Sequence, residues 1–302
     1  MDAAQSHRDL ARETWRALFP VQWHADLARA FIMFSFAYTV VLAIELACGT
    51  RTRNYQTRDF AHDVAFNLYY RTGIHRLMLS APLLLALDVP LSFLDLRLLS
   101  GLPAFVQVVA GLVIGDFIMY WLHRAQHAVP FLWAFHTTHH STEHLTFAAY
   151  QRFHPLEVLV GDLLGFLILR ILGFEIYTWA AVYLIANFIG ELQHSQIPWR
   201  LGPFYRVIVT PSFHAHHHSA DRLVHDRNYG GLFAFWDYLF GTAVDDHAPA
   251  PVKYGLDDVK ARSLWSTLVD PFRLLVQFYG PRDRRPPALI DAEDLARDDA
   301  AR

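Results

Sequence analysis

The sequence predicts an all-α fold: an integral membrane helical bundle of about four to five spans, with a histidine-rich cap that holds a metal site. Three observations predict it. The 302 residues are 53% hydrophobic and only 18% charged, against about 25% in ordinary soluble domains. Five stretches approach the roughly 20 apolar residues that a bilayer-spanning helix needs. Twelve of the eighteen histidines fall between His123 and His218, most at the i, i+3, i+4 spacing that shares one helix face.

In chain order, residues 1–27 form a polar, basic N-terminal segment without the apolar core of a cleavable leader. Residues 28–256 read as one membrane domain. Its expected spans are 28–48, apolar apart from Arg29 and Glu45, and 77–94, which carries Asp88 and two prolines. The others are 104–122, with one acid, Asp116; 156–173, up to Gly173; and 176–193, after a two-residue turn. Residues 257–280 read as an amphipathic helix on the membrane or the cap. Residues 281–302 read as a disordered tail. The rival, a large soluble core, would have to bury all five stretches. A net charge of −3 gives no basis for nucleic-acid binding, and the lone Cys48, expected to be packed in its apolar stretch, excludes a thiolate metal site.

Segment lengths bring the histidines to one side. Stretch 104–122 ends at His123, 156–173 leaves from His154, 176–193 returns to His194, and His214–His218 follow without a further crossing. Arg51, Arg53, Arg58, Arg71 and Arg76 fall on that same side, as do Arg124, Arg152, Arg200 and Arg206, which makes it cytoplasmic by the positive-inside rule. Arg8, Arg12 and Arg16 would then lie outside, against the rule, which leaves the first stretch between a crossing and an interfacial helix.

Imidazole suits iron, zinc, copper and nickel. One tetrahedral ion uses about four ligands, so this many clustered histidines favours two metals. The candidate ligands are His123, His127, His136, His139, His140, His154, His194, His214, His217 and His218. His136/His139/His140 and His214/His217/His218 repeat the pattern H-x-x-H-H, the strongest single signal in the chain. His154, before Pro155, reads equally as a ligand or as a helix-entry group. His144, His216 and His225 read as supporting or surface groups, and His7, His24, His62, His75 and His247 as ordinary isolated histidines. Asp116, Tyr120, His123 and His127 share a helix face, so Asp116 is expected to orient a ligating ring through its second nitrogen. Tyr120, Asn187 and Glu191 are the other candidates for such support.

These motifs resemble the fatty acid hydroxylase/sterol desaturase superfamily of membrane di-iron oxygenases. Asp116…Tyr120-Trp121…His123-Arg124…His127 is similar to its first box, and His136…His139-His140 to its second. Arg152-Phe153-His154-Pro155, Gln193-His194-Ser195 and Thr210-Pro211…His214…His217-His218 are similar to its later elements. Asn228-Tyr229-Gly230 and Trp236-Asp237…Leu239-Phe240-Gly241-Thr242 are similar to its tail signature, and Gln196 departs where many relatives carry Asn. The resemblance covers 116–242. It implies two histidine-bound irons, O2 as co-substrate, no tightly bound organic cofactor, and oxidation of an unactivated C–H bond.

The implied substrate is a lipid: fatty acyl, sterol-like or aminolipid. No second redox module reads from the sequence. The implied electron donor is a separate partner, of ferredoxin or cytochrome b5 type with its NAD(P)H reductase. Hydroxylation and desaturation use the same site and stay open here. A zinc-dependent membrane hydrolase and a metal-binding membrane protein are the readings from other classes. The hydrolase lacks H-E-x-x-H, and a transporter would put its ligands near mid-membrane. The Ala/Arg-rich composition favours a bacterial inner membrane over the endoplasmic reticulum.

Overall fold

The computed structural model describes residues 35–36, 38–49, 52–199, 201–221, 224–244, 251–256 and 263–279. The expected N-terminal segment and tail, residues 1–27 and 281–302, lie outside them. The described elements are helical: α1 (Tyr38–Ala47), α2 (Arg58–Arg71), α3 (Ala81–Asp88), α4 (Ala104–Ala128), α5 (Pro130–His140), α6 (Pro155–Leu172), α7 (Ile176–His194), α8 (Pro211–His217), α9 (Phe235–Leu239) and α10 (Leu264–Tyr279). Among the described residues the extended pairings are two isolated bridges, Ile208 with Phe233 and Ser219 with Tyr254.

α4 is the one described helix long and apolar enough to cross a membrane by length and composition, with mean hydropathy 1.8. Only 22% of its apolar window is buried, whereas a soluble core helix would be mostly covered. Its 25 residues rise about 37 Å, more than the roughly 30 Å hydrocarbon layer, so the helix carries His123 and His127 beyond a span-length segment. Pro130, at the first turn of α5, ends this run, because a proline cannot continue the hydrogen-bond ladder but is tolerated at a helix start.

The other expected spans depart from simple crossings. Stretch 77–94 does not form one continuous span: a π-helical turn, Arg76–Ser80, leads into α3, which stops at Asp88 before Pro90. Of stretch 28–48, the described part includes the ten-residue α1. Cys48 is exposed just past that helix, not packed in it. α6 and α7 have 18 and 19 residues but carry charges. Those charges have protein partners: Arg170 pairs with Asp88 at 2.5 Å and Asp95 at 2.9 Å, Asp162 accepts from Ser80 at 2.6 Å, and Glu191 pairs with Arg71. Gly173 closes α6 in the left-handed region, φ +69°, where a Cβ would stand 2.6 Å from the Arg97 backbone.

One buried arginine fixes the histidine-bearing segments to α2. Arg152 is fully buried, and its guanidinium donates to Asp63 at 2.6 Å, to the Asp59 carbonyl at 2.8 Å and to Ser141 at 3.4 Å. Ser141 follows α5 directly, so this fork ties α2, the end of α5 and the entry to α6 together. Asn67 and Tyr70 of α2 add bonds to the carbonyls of Ala148 and Phe153, each 2.8 Å. α10 packs across α5, with Phe272 edge-on to Phe135 at 5.5 Å.

Candidate metal centre

Four helices and the turn after α8 converge their histidines on one buried region. α4 ends with His123 and His127, α5 with His136, His139 and His140, and α7 with His194. α8 is set by its own sequence: the Thr210 hydroxyl accepts from Phe213 N–H at 3.0 Å, and Pro211 occupies the first turn. It carries His214 and His217, with His218 as its C-cap.

The rings form two groups. His123, His127, His136, His140 and His217 form one; His139, His194, His214 and His218 form the other; within each group the ligand nitrogens all lie within 4.8 Å of one another. Each H-x-x-H-H element divides its three rings. The first and third positions share a group and the second joins the other.

The protonation pattern shows what the groups fit. Carbonyls and carboxylates only accept, so a ring whose Nδ1 faces one must carry its proton there and a lone pair on Nε2. Nδ1 of His123 faces the Tyr229 carbonyl at 2.9 Å, and Nδ1 of His136 faces Glu157 at 2.6 Å. Their Nε2 lone pairs then oppose each other across 3.1 Å. In the second group, Nδ1 of His194 faces the Gly190 carbonyl at 2.7 Å, and its Nε2 stands 3.1 Å from those of His139 and His214 and 3.2 Å from that of His218. Opposed lone pairs at this separation repel unless a cation binds both. Metal–imidazole bonds of about 2.0–2.1 Å set neighbouring ligand nitrogens about 3.0–3.4 Å apart. The buried Nε2 of His217, whose Nδ1 donates to the Arg227 carbonyl at 2.7 Å, has no partner among the described residues. The residues present therefore fit two bound metal ions.

Burial and the mutual repulsion of neighbouring rings hold His139, His140, His214, His217 and His218 well below the usual 6.5. These rings are neutral near pH 7, as ligation requires. The unfolded chain takes up protons on them as pH drops through 6.5, and the folded metal-free chain does not. The melting temperature of metal-free protein is expected to hold above pH 6.5 and to fall progressively below it. A flat profile into the acid range would remove this account of the site's electrostatics.

The structure brings nine of the ten expected ligands into the two groups. His154 stands apart. It is the N-cap of α6: its Nδ1 accepts from Leu156 N–H at 3.2 Å and its Nε2 meets the Leu268 carbonyl at 3.2 Å. His216, buried beside the groups, donates from Nδ1 to the Ser212 carbonyl at 2.8 Å, and the His144 ring nitrogen meets Asp59 at 3.0 Å.

The four expected supporting residues make other contacts. Asp116 accepts from the backbone N–H groups of Leu232 and Phe233 at 2.6 and 2.9 Å and from the Trp236 indole at 3.0 Å, with no histidine ring among its hydrogen-bond partners in the described residues. Tyr120 bonds Thr242 at 2.8 Å, Asn187 accepts from Gln151 at 3.1 Å, and Glu191 pairs with Arg71. Gln196 donates to the Leu145 carbonyl at 2.8 Å. The groups behind the rings are Glu157, Asp226, and the carbonyls of Gly190, Arg227 and Tyr229. Glu157 sits on the first turn of α6 and also accepts from Gln126 at 2.8 Å. An acid just past His154-Pro155 was the sequence signal for it; the carbonyls had none.

The tail signature builds the carbonyls. Asp237 accepts from Tyr229 and Gly230 N–H, each at 2.8 Å, and from Thr242 at 2.6 Å. A Cβ on Gly230 would stand 2.6 Å from the Phe233 carbonyl oxygen. Asp116 anchors the next residues of that segment to α4. Replacing Asp116 with alanine leaves three donors without their acceptor and is expected to cost about 2–3 kcal/mol, read as a lower melting temperature. Unchanged melting would contradict its anchoring role.

Residues 108–242 match the family model described as fatty acid hydroxylase. The chain is 34% identical over 170 residues to ornithine lipid hydroxylase OlsE of Rhizobium tropici, covering 56% of this chain and 51% of that protein. It is 33% identical over 142 residues to alkylglycerol monooxygenase of Homo sapiens, covering 47% of this chain and 31% of that protein. Fatty acid hydroxylase vlmA of a Lecanicillium species is 31% identical over 156 residues, covering 46% of this chain and 42% of that protein. The chain thus spans about half, or less, of the length of these curated relatives. No solved structure matches. The segment that matches the fatty acid hydroxylase family model contains every histidine of both groups.

Proposed function

We propose that the chain is a membrane-bound, O2-dependent di-iron hydroxylase that inserts oxygen into a C–H bond of a lipid. The observation that carries this is the pair of adjoining histidine groups, each with its ligand nitrogens within 4.8 Å of one another. His123, His127, His136, His140 and His217 would hold one iron, and His139, His194, His214 and His218 the other. Bound there, the irons supply the O2 chemistry, with two electrons from a separate donor of ferredoxin or cytochrome b5 type. The protein's own residues aim the nitrogens of the nine rings and bury the region from water.

The membrane reading rests on α4 and on the internal pairing of the charges of α6 and α7, which makes these helices compatible with lipid. The arginine distribution supports a metal centre on the cytoplasmic face, and the Ala/Arg-rich composition supports a bacterial inner membrane. A lipid lying along the exposed apolar faces of these helices would reach the centre from the side. The relatives' names, an ornithine lipid hydroxylase and an alkylglycerol monooxygenase, support a lipid substrate and favour hydroxylation over desaturation.

The test is lipid analysis of cells expressing the chain under isotopically labelled O2. A lipid gaining one labelled oxygen, absent with His217→Ala, is expected. A new double bond without added oxygen would replace the reading by a desaturase. A lipid change that proceeds without O2 would replace it by the hydrolase.

A further inference from the structure

The two histidine groups are backed differently, and the difference follows the grouping. In the five-histidine group, four rings have an oxygen acceptor behind Nδ1: His123 on the Tyr229 carbonyl, His127 on Asp226 at 3.0 Å, His136 on Glu157 and His217 on the Arg227 carbonyl. Two of those acceptors are carboxylates. In the four-histidine group, His194 alone has an acceptor, the Gly190 carbonyl. The Nδ1 atoms of His139, His214 and His218 are buried without a hydrogen-bond partner among the described residues. Aromatic rings pack on two members of this group: Phe153 stacks on His139 at 4.5 Å and 7°, and Tyr150 lies 5.6 Å from His194.

One short turn does much of the work for the first group. Asp226, Arg227 and Tyr229 each meet a different ring of it, and none meets a ring of the second. The turn is fixed in a shape that few side chains adopt, with Asp226 and Asn228 both at φ +57°. Asn228 holds it by donating to the Phe213 carbonyl at 2.8 Å and accepting from Val244 N–H at 2.6 Å. Glu157 offers a second sign of a bound cation: its Oε2 is buried and without a partner, while the side chain is only 7% exposed. A carboxylate buried in that way is stabilised by a cation bound to the ring it supports.

We infer that the two metal positions are unequal, and that Glu157 and Asp226 are the positioning residues that make the five-histidine position the tighter one. This rests on the two-metal reading above. A carboxylate behind Nδ1–H draws that proton toward itself, raises the electron density on Nε2 and fixes the ring's direction. The five-histidine position has two such carboxylates and one more ring. The four-histidine position is built from neutral groups with three free Nδ1 atoms, so its rings can turn and release an ion sooner. Loss of one supporting partner typically weakens a metal site about 10–100-fold.

The experiment is metal release from the full-length protein in detergent, loaded with ferrous iron and mixed with excess chromogenic chelator. The expected wild-type trace has two phases of equal amplitude, their rates separated by at least about tenfold. His194→Ala removes the fast phase and leaves the slow one. Asp226→Asn and Glu157→Gln keep an oxygen that accepts from Nδ1–H but lose the charge. Each is expected to speed the slow phase about 10–100-fold and leave the fast phase unchanged. Asp226 is 68% exposed, so its variant tests the inference even if Glu157→Gln fails to fold. A single wild-type phase with two ions released overturns the inequality and leaves the two-metal reading standing. Two phases that neither variant moves, or a fast phase that moves instead, overturn the roles of Glu157 and Asp226. Release of one ion per chain overturns both readings together.

Discussion

Replacing His217 with alanine is expected to abolish turnover while the protein still inserts and folds. Its ring lies 4.4, 4.8 and 4.7 Å from those of His123, His127 and His140, at the middle of the five-histidine group. Its Nε2 has no hydrogen-bond partner among the described residues, so its removal breaks no hydrogen bond there on that side. What it removes is a ligand. Loss of a catalytic metal removes several kcal/mol of transition-state stabilisation, or on the order of 10³-fold in rate or more. His139→Ala in the other group should have a similar effect. His154→Ala is the contrast: losing an N-cap costs about 1 kcal/mol of stability, and the metals should stay. Turnover and metal content of the three purified variants decide the matter. Full activity in His217→Ala would remove it from the ligand set.

The largest effect on stability is expected at Arg152. Its guanidinium is fully buried and satisfied by Asp63, Asp59 and Ser141. Alanine would leave Asp63, also fully buried, without its counter-charge. Burial already pushes the Asp63 carboxyl up to about 6 despite the arginine. Breaking a buried pair by removing one partner costs about 3–5 kcal/mol, against a typical total of about 5–15 kcal/mol. Arg152→Ala should therefore reduce the yield of folded protein and lower its melting temperature sharply. Arg152→Lys should not restore it, since one ammonium cannot reach the three sites that the planar fork reaches. A variant melting within a degree or so of wild type would contradict this account of what holds α2 to the histidine segments.

These two residues show which parts of the molecule are legible in the sequence. The clustering of the histidines is legible because helical spacing is local and puts each triplet of α5 and α8 on one face; how each triplet divides between the two groups depends on packing against the other helices. The continuation of α4 through His127 is legible for the same reason. The supports behind the rings are not, because they join distant segments. Asp226 reaches His127 across 99 positions, and carbonyls carry no side-chain signal at all. Asp116 shares a helix face with His123, which suggests a bond between them. The structure gives its oxygens to residues more than a hundred positions downstream, just past Tyr229, whose carbonyl His123 meets. His154 is ambiguous in sequence because His-Pro at a helix entry suits a cap as well as a ligand. Stretch 77–94 has the composition of a span, yet the pairing of Asp88 with Arg170 and the following proline end its helix early.

The most direct test of the central claim is the metal content of the purified full-length chain, expressed with added iron. The account predicts about two irons per chain, falling when rings of either group are replaced. One zinc per chain and no iron, persisting after anaerobic reconstitution with ferrous iron, would contradict it.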